Sequence, residues 1–235
     1  MSKKPEQKTG SRAGRAAPSQ RTSPWVIGGI VGIAVLVVAV MVQAARPNAG
    51  PAPSLAEQSG VDTGLTQAGY YYRGSLEAKV VVVEYEDLRC PRCLDFFKDA
   101  EPKVFAEYVK TGMVREESRL VAYLGPASQA AAEAAYCAGE QGQYWEFRHQ
   151  AYANQKDERD TPVGRADFVK YAAAVGLDQG KFTNCYDTQR YGALVEQTTT
   201  QAQKAGVAGT PTFFVNGTKY EGAYPFTGSG AQPGF

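Results

Sequence analysis

The chain has 235 residues, of which 43% are hydrophobic and 21% charged, so it has room for one globular domain and additional segments. Its net charge of +1 hides an asymmetry, because residues 1–24 carry +5 and the remainder therefore carries −4. A mildly acidic main part argues against nucleic-acid binding, which needs a basic surface.

Two segments precede the globular part. Residues 1–24 are polar and lack apolar periodicity, which predicts a disordered basic tail. Residues 25–42 contain no charged side chain, and a helix of 18 residues rises roughly 27 Å, close to the thickness of the hydrocarbon core. We expect a transmembrane helix with a cytoplasmic N-terminus, because the basic residues precede it. The alternative is a cleaved signal peptide, whose apolar core is usually shorter.

The next segments lead into a candidate domain. Residues 43–69 include several prolines, which predicts an extended linker. We assign the globular domain to residues 70–235. Its first clear strand covers residues 79–85, where a run of valines indicates burial on both faces, as in the centre of an α/β sheet.

The sequence Cys90-Pro91-Arg92-Cys93 follows this strand and precedes an amphipathic helical pattern. Two cysteines separated by two residues at a strand-to-helix junction are typical of a redox centre. Pro91 suits the first helical turn, which does not need its missing N–H. Cys90 would then lie at the helix N-terminus, where free N–H groups and the dipole favour a thiolate. We therefore interpret Cys90 as the attacking sulfur and Cys93 as the resolving one.

The remaining elements follow from periodicity and turn residues. Pro102 should kink the helix after the cysteines. Asn216-Gly217 is a strong hairpin signal. The other predicted elements are a strand at 113–123, helices at 128–139, 143–154, 165–175, 179–187 and 190–205, and strands at 212–215 and 218–221.

Three stretches together resemble the DsbA-like thioredoxin-fold oxidoreductases in their membrane-anchored form. They are Glu84-x-x-Asp87-x-x-Cys90-Pro91-x-Cys93, the helical residues 134–145, and residues 209–217. The resemblance implies an α/β class, with a thioredoxin-like fold that carries a helical insertion at about 126–206 and follows one N-terminal transmembrane helix. It also implies action on the cysteines of exported proteins. Residues 223–235 lack the amphipathic pattern of the helix with which this family usually ends.

The resemblance also suggests roles for the surrounding residues. It makes Thr210-Pro211 a cis-proline loop opposite the cysteines, although an ordinary trans bond would also suit a strand start. It places Glu84 under the dithiol, where a raised pKa would let it exchange a proton with Cys93. The alternative for Glu84 is a solvent-facing carboxylate. Arg92 stands where strongly oxidising members often have histidine.

Several other polar residues have simpler interpretations. We expect Glu86 and Asp87 to be exposed loop acids. His149 is the only histidine, and we expect it to be a surface helix residue rather than a catalytic one.

Cys137 and Cys185 lie in separate predicted helices. Two thiols in an oxidising compartment usually pair, and some members of the family have a second disulfide there. The alternatives are two buried free thiols, or a zinc site that uses all four cysteines. Zinc sites usually use paired cysteines, and these two are single and far apart. We therefore expect a structural Cys137–Cys185 disulfide, no metal and no cofactor.

The resulting expectation is an enzyme at the cell membrane whose catalytic domain is extracytoplasmic. It would introduce disulfides into exported cysteine-containing proteins and be reoxidised by a membrane partner of the DsbB or vitamin-K-epoxide-reductase type. It would not bind nucleic acid. The alternatives are an extracytoplasmic reductase or isomerase, and a thioredoxin-fold binding module without turnover.

Overall fold

The computed structural model describes residues 60–155 and 163–226. The predicted basic tail and transmembrane helix lie outside the described residues, as do most of the predicted linker and the last nine residues of the chain. Within the described part, no helix has both the length and the apolar character needed to cross a membrane.

The described residues form six strands and seven α-helices. The strands are β1 (Thr63–Leu65), β2 (Tyr71–Arg73), β3 (Val80–Glu86), β4 (Val114–Leu120), β5 (Thr212–Val215) and β6 (Thr218–Glu221). The helices are α1 (Pro91–Asp99), α2 (Glu101–Val104), α3 (Pro126–Gly139), α4 (Tyr144–Ala153), α5 (Arg165–Ala174), α6 (Gln179–Asp187) and α7 (Gly192–Lys204). A π-helical turn, Phe105–Val109, continues α2.

The strands form one sheet in the order β1-β2-β4-β3-β5-β6. Strands β3 and β4 are parallel, and the other described pairs are antiparallel. Strand β3 therefore lies in the interior of the sheet, as its valine run predicts. Helices α3 to α7 occupy the chain between β4 and β5, so the predicted thioredoxin-like α/β fold with a helical insertion is confirmed.

The prediction of where the folded domain begins is wrong by several residues. Strand β1 lies in the range that we assigned to the linker, and β2 follows it in a stretch with no predicted strand. Thr63 pairs with Arg73, and Arg73 pairs in turn with Glu116 of β4. Each strand has only three residues, which is too short to show a periodic pattern. Their pairing depends on β4, more than 40 residues away in the chain.

The insertion covers the helix that carries the cysteines. The largest hydrophobic cluster contains Leu88, Cys93 and Phe97 together with many buried residues of the insertion helices. Helix α1 contributes because Cys93, Phe96 and Phe97 lie on its buried face. The insertion therefore forms one wall around the dithiol.

Two local features refine the prediction for the helix after the cysteines and for the end of the domain. Helix α1 ends at Asp99 and α2 begins at Glu101 with Pro102 in its first turn, so the expected kink is a short break between two helices. Phe226 packs on Phe96 and Phe213. It covers part of the face where the resemblance would place a terminal helix.

Candidate active site

The two cysteines lie at the junction of β3 and α1. Cys90 is the N-cap of α1, and Pro91 is the first helical residue. Both cysteines are free thiols and are buried, with 7% of Cys90 and 1% of Cys93 exposed. At this position the Cys90 sulfur faces the backbone N–H groups of Arg92 and Cys93 in the first turn of α1, which have no partner within the helix.

The loop before β5 lies directly against Cys90. The peptide bond between Thr210 and Pro211 is cis. The Cys90 thiol donates a hydrogen bond to the Thr210 carbonyl oxygen over 3.3 Å. Because β5 pairs with β3, this loop and the end of β3 meet at the same edge of the sheet.

The two thiols have opposite acidities. The pKa of Cys90 is lowered from 9.0 to about 6, chiefly by a hydrogen bond from the Cys93 thiol. Burial opposes this shift, while the Thr210 side chain and the backbone N–H groups of Cys93 and Arg92 add to it. Burial raises the pKa of Cys93 well above its ordinary value, and the neighbouring Cys90 raises it further. At neutral pH the pair therefore holds a thiolate at Cys90 and a proton at Cys93.

Glu84 is buried on the same side of the sheet as the dithiol, with 1% of it exposed. Burial raises the pKa of this carboxyl well above its ordinary value, and Glu86 raises it further. The charge of Glu84 is among the influences that raise the pKa of Cys93. The solvent-facing alternative for Glu84 is therefore wrong.

The expectation of exposed acids at Glu86 and Asp87 is wrong, because both are fully buried. Strand β3 continues through Glu86, whose side chain points to the same face as Glu84. Tyr152 donates a 2.6 Å hydrogen bond to Glu86, and Arg148 donates two more. Sequence reasoning missed Arg148 and Tyr152, although their four-residue spacing places both on one face of α4.

The family comparison agrees with this geometry. A thioredoxin family model matches residues 66–229, which include the dithiol, the insertion and the cis-proline loop. The chain belongs to the thioredoxin family. With the dithiol at the N-terminus of α1 and the helical insertion, the chain has a DsbA-like form of the thioredoxin fold.

Individual relatives are similar to about two thirds of this chain. The Na⁺/H⁺ antiporter NhaA 3 of Salinispora tropica is 38% identical over 66% of this chain, but the chain spans only 22% of that protein's length. Disulfide bond formation protein D of Bacillus subtilis is 28% identical over 61% of this chain and 66% of its own. DsbA from Mycobacterium tuberculosis, solved in its reduced form, is 28% identical with a TM-score of 0.53, over 68% of this chain and 84% of its own.

A groove of about 680 Å³ runs beside the Cys90 sulfur of this DsbA-like protein. Its lining residues are Cys90, Ala122, Tyr123, Leu124, Gln203, Gly206, Val207, Ala208, Gly209 and Thr210. None of these lining residues is Asp, Glu, Lys or Arg. An extended peptide can therefore approach Cys90 along a neutral surface that exposes both apolar side chains and backbone polar groups.

Asp87 joins the dithiol loop to the wall of this groove. One carboxylate oxygen accepts a 2.8 Å hydrogen bond from the Arg89 backbone N–H, and the other accepts bonds from the backbone N–H groups of Tyr123 and Leu124. Burial raises the pKa of Asp87 although these bonds lower it. The carboxyl thus fixes the loop after β4 against the loop that carries Cys90.

Two polar residues that the sequence analysis discussed, Arg92 and His149, have side chains that do not bond either thiol in the described part of the chain. The Arg92 side chain is exposed and forms a 3.2 Å ion pair with Asp95, so the structure brings its backbone N–H rather than its charge to Cys90. His149 is half-buried instead of lying on the surface, and its ring packs edge-on against Phe97. Burial lowers the pKa of this histidine.

A second pair of cysteines lies within the insertion. Cys137 of α3 and Cys185 of α6 form a disulfide with a Cα–Cα distance of 5.7 Å. At most 1% of either residue is exposed. The structure does not bring this pair to the Cys90–Cys93 site. Across residues 60–155 and 163–226, no group of His, Cys, Asp and Glu side chains has an arrangement that could hold a metal ion.

Proposed function

We propose that this protein introduces disulfide bonds into exported proteins by exchange with the Cys90–Cys93 pair. The observation that carries the proposal is the contrast between a Cys90 thiol with a pKa of about 6 and a Cys93 thiol with a raised pKa. A stabilised thiolate favours the reduced dithiol, which makes the corresponding disulfide a stronger oxidant.

The chemical step follows from these roles. In the oxidised enzyme, a client thiolate attacks the Cys90 sulfur, the Cys90–Cys93 bond breaks, and Cys93 leaves with the electron pair and takes up a proton. A mixed disulfide then joins the client to Cys90. A second client thiolate attacks the client sulfur of this bond, and Cys90 leaves as a thiolate. The client has lost two electrons, and the enzyme holds a dithiol.

The other site residues support this exchange. Glu84 would donate the proton that Cys93 takes up and recover it when the dithiol is reoxidised. Pro91 would start α1 directly after the reactive sulfur, and the Thr210–Pro211 loop would hold the client backbone beside Cys90. Arg92 would contribute its backbone N–H to the thiolate.

The cellular setting is part of the proposal. The apolar residues 25–42 would anchor the chain in the cell membrane, with the N-terminus cytoplasmic and the catalytic domain extracytoplasmic. Repeated turnover would need an oxidant that accepts two electrons from the dithiol. We propose a membrane protein of the DsbB or vitamin-K-epoxide-reductase type for this role.

The reduction potential of the Cys90–Cys93 pair tests the direction of exchange. The full-length chain is equilibrated with glutathione buffers, and the oxidised fraction of the peptide with both cysteines is measured by differential alkylation and mass spectrometry. A value near about −120 mV supports donation of disulfides, whereas a value near about −270 mV supports a reductase instead.

A variant distinguishes an enzyme from a binding module. We expect Cys90→Ser to abolish disulfide transfer to a reduced, unfolded client, because the exchange requires the Cys90 sulfur. Loss of client oxidation with an unchanged free energy of unfolding supports the enzyme. Full function of Cys90→Ser in cells would instead support binding without turnover.

A further inference from the structure

Two arginines and four glutamates form a buried charge cluster beside the dithiol. Its members are Arg73, Arg148, Glu84, Glu86, Glu101 and Glu116, and none is more than 5% exposed. If every member were ionised, the cluster would hold two uncompensated negative charges. Such buried charges cost several kcal/mol each, so the cluster is expected to retain protons.

The register of the sheet explains why these side chains meet. Glu84 and Glu86 point to one face of β3 because they are two residues apart. Arg73 of β2 pairs with Glu116 of β4, which itself pairs with Val82 of β3, so these side chains share that face. The face lies under the insertion, which supplies the second arginine.

Arg148 is the member that connects the insertion to the carboxyls of β3. Its guanidinium donates a 3.3 Å hydrogen bond to Glu84, bonds of 2.8 and 2.9 Å to both oxygens of Glu86, and a 2.7 Å bond to Glu101. Arg73 instead pairs with Glu101 and Glu116. The two buried arginines therefore share Glu101, and Arg148 is the one that bonds Glu84.

Burial raises the pKa of Glu84 and of Glu116, so Glu84 is one of two carboxyls in the cluster that favour the protonated form. Burial raises the pKa of Glu84 most, the charges of Glu86, Glu101 and Glu116 raise it further, and Arg148 lowers it. Burial also raises the pKa of Glu101, but Arg148 and Arg73 reverse this, so that its pKa is lowered overall.

The neighbours of Glu84 leave one of its oxygens available. Oε1 of Glu84 has no hydrogen-bond partner in the described part of the chain. Cys93 of α1 and Tyr152 of α4 also interact with its charge, and His149 borders the cluster through Glu101. A proton on Glu84 is therefore electrostatically coupled to Cys93, the thiol that must gain or lose a proton during exchange.

We propose that Arg148 is a positioning residue for thiol–disulfide exchange: its guanidinium allows the buried Glu84 carboxyl to give a proton to Cys93 and to take it back. This inference rests on the proposed function, in which Glu84 is the proton donor. Arg148 is 1% exposed, and in the described part of the chain its guanidinium bonds carboxyls and not the sulfurs.

The proton balance shows why a cation is needed. When the Cys90–Cys93 bond breaks, Cys93 keeps the electron pair as a thiolate, and the Glu84 carboxylic acid transfers its proton to that sulfur. The products are a Cys93 thiol and a Glu84 carboxylate. Without Arg148, this carboxylate would form in a buried site next to Glu86 and would lack the cation that bonds it, so the transfer would be disfavoured.

The test follows the pH dependence of exchange in the full-length chain. The rate at which a cysteine-containing peptide reduces the Cys90–Cys93 disulfide is measured from acidic to alkaline pH, and Glu84→Gln identifies the inflection due to Glu84. We expect Arg148→Gln to move that inflection upward by about one pH unit or more, since an adjacent opposite charge shifts a carboxyl by one to three units. Arg148→Lys should restore most of the shift.

Two further variants keep the inference testable if Arg148→Gln does not fold. Glu86→Gln removes a charge that raises the pKa of Glu84, so it should move the inflection in the opposite direction, downward. Arg73→Gln is the matched control, because it removes the other buried arginine, which bonds Glu101 and Glu116, and it should move the inflection less than Arg148→Gln does. Equal shifts in Arg148→Gln and Arg73→Gln, or an unmoved inflection in Arg148→Gln or Glu86→Gln, would overturn the inference.

The result is separable from the proposed function. If the wild-type chain oxidises clients but Arg148→Gln leaves the profile unchanged, only the role of Arg148 fails. If the wild-type chain itself does not transfer its disulfide to the peptide, the proposed function fails first.

Discussion

Both cysteine pairs of this chain are buried, but they differ in their positions on helices. Cys90 lies at the N-terminus of α1 beside an open groove, whereas Cys137 and Cys185 each lie two residues before the end of a helix. A helix N-terminus favours a thiolate and a C-terminus disfavours it. Exposure therefore does not separate a reactive pair from a structural one here, whereas the local supply of hydrogen-bond donors does.

The largest expected effect comes from removing the structural pair, Cys137 and Cys185. The Cys137–Cys185 disulfide closes a loop over a sequence separation of 48 residues. On the chain-entropy estimate, the double variant Cys137→Ala/Cys185→Ala should lose up to about 4 kcal/mol in the free energy of unfolding, measured by urea denaturation.

The reduction potential of the Cys90–Cys93 pair in that double variant is the accompanying measurement. We expect it to stay at the wild-type value, because the second disulfide supplies no donor to the Cys90 sulfur. A reduction potential that changes together with the stability would show instead that the structural disulfide affects the Cys90–Cys93 pair.

The stability of the reduced protein should depend on pH, and this effect is expected to be smaller than the loss of the structural disulfide. Because folding lowers the pKa of Cys90 from 9.0 to about 6, its thiolate contributes stability that is complete above about pH 9 and is lost as the pH falls through about 6. The disulfide form has no such thiolate. The free energy of unfolding of the reduced protein should therefore rise relative to that of the oxidised protein between about pH 6 and pH 9.

Alkylation checks the same prediction directly. The rate at which iodoacetamide modifies Cys90 in the reduced protein should be half-maximal near pH 6. Reduced Cys90→Ser is the control for stability, and it should lack the pH-dependent gain. A half-maximal rate near pH 9 would show that the helix N-terminus does not ionise this sulfur.

The smallest expected effects concern the groups around the thiolate. Thr210→Val removes a hydrogen bond that lowers the pKa of Cys90 and should raise that pKa by less than about one unit. Arg92→Gln should change it by only about a few tenths, since the exposed Arg92 side chain pairs with Asp95. Thiolate absorbance in the ultraviolet measures both, and a larger shift in Arg92→Gln would show that the charge of Arg92 stabilises the Cys90 thiolate.

Much of the fold could be predicted because its signals are local. The predicted bounds of the five insertion helices agree with the structure to within two residues, since glycine and proline breaks separate their patterns. The hairpin around Asn216-Gly217 was equally readable. Strands β1 and β2 were missed because their pairing depends on β4 rather than on their own sequences.

The site was predictable only where the motif itself carries the chemistry. Cys90 could be placed at a helix N-terminus from its neighbours alone. The burial of Glu86 could not, because its partners Arg148 and Tyr152 come from more than 60 positions further along the chain. The burial of Asp87 was also not predictable, because two of its hydrogen-bond donors lie in the loop after β4.

The neutral lining of the groove has a consequence for how clients are chosen. On the proposed function, no lining side chain carries a charge in the oxidised form that accepts a client, so we expect the association rate to change little with ionic strength. A folded protein keeps most of its backbone within its own structure, so it offers few extended segments to this groove. On the proposed function, clients would therefore be oxidised while they are still unfolded after export rather than after they have folded.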